Sequence, residues 1–217
     1  IRFHAIMIKT ITKPAFRTKM ERFPNGQIYQ GFGENVALYK AAIGTEGHNG
    51  IDIAMPEGTP IIGTEGIIVE VKNDPSGYGK HVRQHTTPDA EGNYLELTFG
   101  HLKDIFVPIG FKIPNAYTIG TMGNTGFIIS GSTPYWGNAP AGKGVHLHFG
   151  VRECSTKQTG WVSAYTSGVT ANVKNYDNGF KGAVDPLLFI SGEATHEAYL
   201  LAIRQAFQNI LKALLGN

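Results

Sequence analysis

The 217-residue sequence has a single cysteine, Cys154, so no disulfide can form within the chain and cysteine usage says nothing about redox compartment. It has no apolar run near the ~18 residues that a membrane-spanning helix needs. Its first residues lack the apolar core and small-residue cleavage pattern of a secretory leader, and it opens on Ile1. Removal of a leader or upstream domain, or a phage-type origin, would each fit. Charged residues are scarce at 17% and the net charge is +2, too weak a field for phosphate neutralisation, so nucleic acid is not an expected partner. The charge is unevenly placed. Arg2, Lys9, Lys13, Arg17, Lys19 and Arg22 stand against Glu21 alone in residues 1–23, which is +5, and this leaves the remainder at −3. A solvated face is the plain reading of that cluster, and attraction to an anionic surface the sharper one.

Glycine, by contrast, is abundant: 28 residues, nearly twice the usual share, pointing to tight turns and short strands. The length suits one domain with a sizeable core. Residues 1–12 read as a first strand. The stretch 28–53 reads as too rich in Gly and Asn-Gly signals for a helix. GTPIIGTEGIIVEVKND (58–74) has the form of a hairpin, and further strands are expected at 80–86, 94–102 and 144–154. The expected fold is mostly β, an antiparallel sheet of barrel or sandwich type. Only residues 193–217 differ, with Leu200, Ile203, Phe207, Ile210, Leu211 and Leu214 at helical spacing. They predict a C-terminal amphipathic helix whose apolar face packs on the sheet or serves as an interaction face. No repeat of 20–50 residues appears.

Five residues carry the chemical signal: His48, Asp52, His101, His146 and His148. His146 and His148 lie two apart in VHLHF (145–149), and alternate residues of a strand share a face. Two imidazoles on one buried face are costly unless each finds a partner or a metal. His48 and Asp52, four apart in HNGID, add a nitrogen and an oxygen donor. A catalytic zinc takes three protein ligands from His, Cys and carboxylate and keeps a fourth position open, and three of these residues would satisfy it. Asn49-Gly50 breaks a helix, which excludes the helical H-E-x-x-H type of site.

GHNGIDIAMPEGTPI (47–61), FGHL (99–102), GNTG (123–126), HLHFGVR (146–152) and VDP (184–186) together resemble the lysostaphin-type, LytM-like zinc endopeptidases in order and approximate spacing. The likeness is strongest over residues 44–154 and absent from 1–27 and the terminal helix. It implies His48, Asp52 and His148 as ligands of Zn2+, with His101 and His146 as the catalytic pair beside them. It also implies a groove on an antiparallel scaffold and hydrolysis of peptide cross-links in bacterial peptidoglycan. The place of action would be the bacterial cell wall, for a secreted, periplasmic or phage-derived lysin. The division expected is one β-rich domain over 1–192, with an N-terminal extension over 1–30, followed by the helix 193–217.

The sequence departs from that family at three places. Phe99 stands where the family usually has Tyr, and residues 127–145 and 155–183 are long insertions. Tyr135 and Trp136 in the first insertion are candidate substrate contacts, as is Phe99; the competing reading folds the loop over its own aromatics. His81 and His85 read as support on a strand, and Cys154 as structural. A metal-free relative that only binds cell wall or activates another hydrolase is the alternative function. A carrier domain is disfavoured because no hairpin-tip Lys is present.

Overall fold

Strict alternation in the longest strands decides the architecture. In LHFGVRECS, Leu147, Phe149 and Val151 are buried in the core, while His148, Gly150, Arg152 and Cys154 share the opposite face. Leu95, Leu97 and Phe99 alternate in the same way with Tyr94, Glu96 and Thr98, and Val82 with His81 and Arg83.

The structure, a computed structural model, describes residues 18–19, 23, 26–158 and 160–191. The strand expected over 1–12 and the helix expected over 193–217 lie outside the described residues. In chain order the elements are β1 (Thr18–Lys19), β2 (Gln27–Gln30), helix α1 (Val36–Ile43), β3 (Ile51–Ala54), β4 (Pro60–Ile62), β5 (Gly66–Asp74) and β6 (Gly79–Thr86). They continue with β7 (Asn93–Gly100), β8 (Leu102–Ile105), β9 (Lys112–Ile113), β10 (Thr118–Met122), β11 (Ile128–Ser130) and β12 (Thr133–Tyr135). The last are β13 (Leu147–Ser155), β14 (Trp161–Ala164), β15 (Thr170–Val173), β16 (Ala183–Val184) and β17 (Ile190–Ser191).

The main sheet runs β14-β15-β13-β7-β6-β5-β9, with β3 and β16 also on β13 and β2 on β3. A second sheet is ordered β4-β10-β8, and β11-β12 is a separate hairpin. These pairings are antiparallel, and β1 with β17 forms a parallel pair. The protein is thus mostly β and antiparallel. The expected barrel does not form among the described residues, because β14 and β9 end the main path at opposite edges.

Two local expectations fail for identifiable reasons. Residues 58–74 are not a hairpin: β4 pairs with β10, whereas β5 pairs with β6 and β9. The Gln84 carboxamide holds the corner between them, accepting from Thr64 N and donating to Thr64 O, so the chain crosses from one sheet to the other. Within 28–53, the glycine-free run VALYKAAI forms α1, closed by left-handed Gly44, whose N–H donates to Tyr39 O. The expected strand 94–102 is broken at His101, where φ of 60° turns the chain from β7 in the main sheet to β8 in the second.

Candidate metal centre

Register brings the site together. His148 of β13 lies opposite Asp52 of β3 on one side and Gly100 of β7 on the other. His101 follows Gly100 at the corner, its N–H donating to Tyr78 O. His146 enters just before β13, bridged to Gly123. All five residues singled out in the sequence are therefore neighbours, and all are buried.

His48 Nε2, His148 Nδ1 and Asp52 Oδ1 form a triangle with sides of 2.9, 3.2 and 3.2 Å. A tetrahedral zinc with bonds of ~2.1 Å sets its ligand atoms ~3.4 Å apart, so a slight opening of this triangle receives it. The protonation pattern fits as well. His48 Nδ1 donates to Gly31 O at 3.2 Å, which leaves Nε2 with its lone pair turned to the other two atoms. Burial alone would raise the Asp52 carboxyl, but the His148 and His48 imidazoles, each 3.2 Å from Oδ1, outweigh it and hold the carboxyl well below the usual carboxylate range. Burial pushes the His148 imidazole down to about 4 against the pull of Asp52, so it is neutral and able to ligate at physiological pH. Two imidazole nitrogens and a carboxylate oxygen, crowded and buried, are a donor set that a divalent cation such as zinc would satisfy.

His101 and His146 stand beside this set with ring centroids 4.4 Å apart. His101 Nδ1 donates to Thr125 O and His146 Nδ1 to Gly144 O, each at 2.7 Å, so both rings keep a bare Nε2. His146 Nε2 lies 3.9 Å from Asp52 Oδ1. Burial, then the neighbouring His146 and His148, keep the His101 imidazole well below its ordinary value.

Several aromatic neighbours were not singled out in the sequence. Tyr78 stacks on His148 at 4.7 Å and takes a hydrogen bond from Asn49 Nδ2 at 2.8 Å. Its only sequence signal is an aromatic wedged between Gly77 and Gly79. Tyr39 of α1 stacks on His48 at 5.0 Å, with its hydroxyl held by Gln30 Nε2 at 3.0 Å. Tyr29 meets the His146 ring edge-on at 5.7 Å.

The weaker candidates separate. Phe99 has no exposed surface and packs on Phe149 at 5.4 Å, so the position expected to contact substrate belongs to the core. Trp136 is 61% exposed and packs on Phe127 of its own loop at 5.4 Å, while Tyr135 closes the β11-β12 hairpin opposite Ile128. His81 pairs with Glu70 and His85 with Glu96, each at 3.3 Å. Cys154 is buried, and burial raises its thiol far above the range of a reactive one.

Glu96 is the centre of a second polar cluster on the same sheet face. It accepts from Arg152 at 3.1 Å, from His85 and from the Tyr165 hydroxyl, and lies 3.5 Å from Arg83. Burial would raise this carboxyl, yet His85, Arg83 and Arg152 bring it down to about 2.

An antiparallel sheet that carries two imidazoles and a carboxylate at one point, with two more imidazoles alongside, presents a donor set of the kind that could hold a divalent metal ion. Residues 46–160 match peptidase family M23, and the chain belongs to that family. Over 103 residues it is 34% identical to the peptidoglycan DD-endopeptidase ShyA of Vibrio cholerae, covering 47% of this chain and 19% of that protein. Over 105 residues it is 35% identical to an uncharacterized metalloprotease of Buchnera aphidicola, covering 48% and 23%. The aligned part thus spans about a fifth of the length of these curated relatives. Among solved structures, lysostaphin from Staphylococcus simulans aligns with a TM-score of 0.49 and 20% identity, covering 82% of this chain and 54% of that one.

Proposed function

We propose that this protein is a zinc-dependent endopeptidase that hydrolyses peptide cross-links of bacterial peptidoglycan and acts at the cell wall. The observation that carries the reading is the convergence of the three metal-type donors with the two Nε2-bare histidines in one buried cluster. The chemistry fits amide hydrolysis. Zinc, when bound, supplies a Lewis acid that polarises a carbonyl and lowers the pKa of water from 15.7 to about 7. His48, Asp52 and His148 would hold the ion. His101 and His146 each present a bare Nε2 to the site; the proton that one takes from the attacking water is the proton returned to the departing amine, directly or through the other. The substrate assignment is supported by the family and by the peptidoglycan DD-endopeptidase among its relatives. We further assign residues 1–192 to a single catalytic domain, with 193–217 as an appended segment.

Elemental analysis of the purified wild type and of single alanine variants tests this. The wild type is expected to hold one zinc per chain. His148→Ala and Asp52→Ala lose metal and hydrolysis together, whereas His146→Ala keeps the metal and loses turnover. Release of the metal by His146→Ala would overturn the division of roles. A wild type that takes up no zinc would return the protein to the class of metal-free wall binders.

A further inference from the structure

The GNTG stretch (123–126) has a use beyond a turn. The Asn124 side chain is nine-tenths buried, and its amide nitrogen reaches three carbonyls of the returning end of the 127–145 insertion: Ala139 O at 3.3 Å, Pro140 O at 3.0 Å and Lys143 O at 3.0 Å. The next carbonyl along the chain, Gly144 O, is the acceptor that fixes His146 Nδ1. The adjacent residue, Thr125, gives its own carbonyl to His101 Nδ1. That carbonyl is anchored separately: the Thr125 hydroxyl donates to Leu102 O at 2.9 Å and accepts from Lys80 N at 2.8 Å. Gly142 and Gly144 both sit in the left-handed region, at φ 72° and 60°, which glycine adopts freely, and the one backbone hydrogen bond within residues 139–144 runs from Lys143 N to Pro140 O at 3.0 Å.

We propose that Asn124 is a positioning residue for the histidine pair: it sets the tautomer and direction of His146 by clamping the turn 139–144, while Thr125 sets His101 independently. The inference rests on the proposed hydrolase reading for its catalytic consequence, although not for its structural one. An imidazole whose Nδ1–H has a fixed acceptor presents Nε2 as the only basic nitrogen, and one freed of that acceptor populates both tautomers and swings about its Cβ. The insertion, whose length varies from the family pattern, is thereby tied to the reacting groups rather than merely appended to the fold.

Two single variants separate the two arms. Ring nitrogen shifts of the zinc-loaded protein, read by two-bond proton–nitrogen NMR, are expected to show the Nδ1–H tautomer for both His101 and His146 in the wild type. Asn124→Ala should move His146 to a mixture and leave His101 unchanged; Thr125→Val should do the reverse. Both should keep one zinc per chain. With sacculi as substrate, Asn124→Ala should lower kcat about ten- to a hundredfold with little change in KM. A wild-type His146 in the Nε2–H form overturns the proposal without any variant, which keeps it testable should Asn124→Ala fail to fold. A His146 spectrum unmoved in Asn124→Ala overturns it also, whatever happens to kcat. If the wild type releases nothing from sacculi, the hydrolase reading falls, and the tautomer shifts still decide this one.

Discussion

Adding one methyl group at Gly50 should weaken metal binding without replacing a ligand. A Cβ there would stand 2.6 Å from the Phe149 carbonyl oxygen and 2.7 and 2.8 Å from Cε1 and Nε2 of His148. The carbonyl cannot yield, because Phe149 is paired with Ile51 in β3 and Phe99 in β7. Residue 50 must therefore move away from both by about 0.7 Å to recover ordinary contact, shifting the segment between His48 and Asp52 against the His148 ring by several times the ~0.2 Å tolerance of a metal–ligand bond. Gly50→Ala is expected to lower zinc affinity about ten- to a hundredfold, or about 1.4–2.8 kcal/mol. Gly150 provides the control, since it shares a strand face with His148 and its added Cβ would meet that ring only at 3.5 Å. Neither glycine has a left-handed backbone, so the methyl group is the whole perturbation. Competition with a chelator of known affinity reads the difference, and thermal unfolding of the chelated proteins corrects for any general loss of stability. Equal affinity in Gly50→Ala and wild type, or an equal loss in Gly150→Ala, would refute the reasoning.

Two other outcomes follow from residues away from the candidate metal centre. The Glu96 carboxyl is lowered from 4.5 to about 2, so its contribution is complete above its unfolded value and is lost as pH falls from about 4.5 toward 2. That contribution is about 3 kcal/mol at neutral pH. Glu96→Gln leaves Arg83 and Arg152 short of their counter-charge and should lower Tm by about 6–12 °C at pH 7, with a flatter loss of stability in acid; acid unfolding curves parallel to the wild type would contradict this. Trp136→Ala removes a largely exposed side chain, so Tm should stay within about 2 °C while KM for sacculi rises; an unchanged KM would take Trp136 out of substrate contact.

The candidate metal centre was legible because Asp52 and His148 sit on strands β3 and β13, with His146 just before β13, where parity in sequence is parity in space, and because His48 lies only four residues before Asp52. His146 and His148 do converge on Asp52, at 3.9 and 3.2 Å, as two imidazoles two residues apart should. Tyr78 and Tyr39 were not legible, since an aromatic in a Gly turn and one in a short helix meet the histidines only through tertiary packing. The Glu96 cluster depends on the register of four elements, which no local pattern carries. Helix α1 was hidden by the glycines around it, although VALYKAAI contains none, and the 58–74 hairpin failed because turn chemistry cannot tell a reversal from a crossing between sheets. Phe99 followed the family position of a tyrosine, but its parity with Leu95 and Leu97 places it in the core.

The most direct measurement of the central claim is release of soluble fragments from purified bacterial sacculi by the protein, followed before chelation, after chelation and after zinc is restored. The account predicts release that stops on chelation, returns with one equivalent of zinc, and yields fragments newly cut at a cross-link amide. Release that continues unchanged in chelator, or a zinc-loaded protein that frees no cross-link fragments, would contradict it.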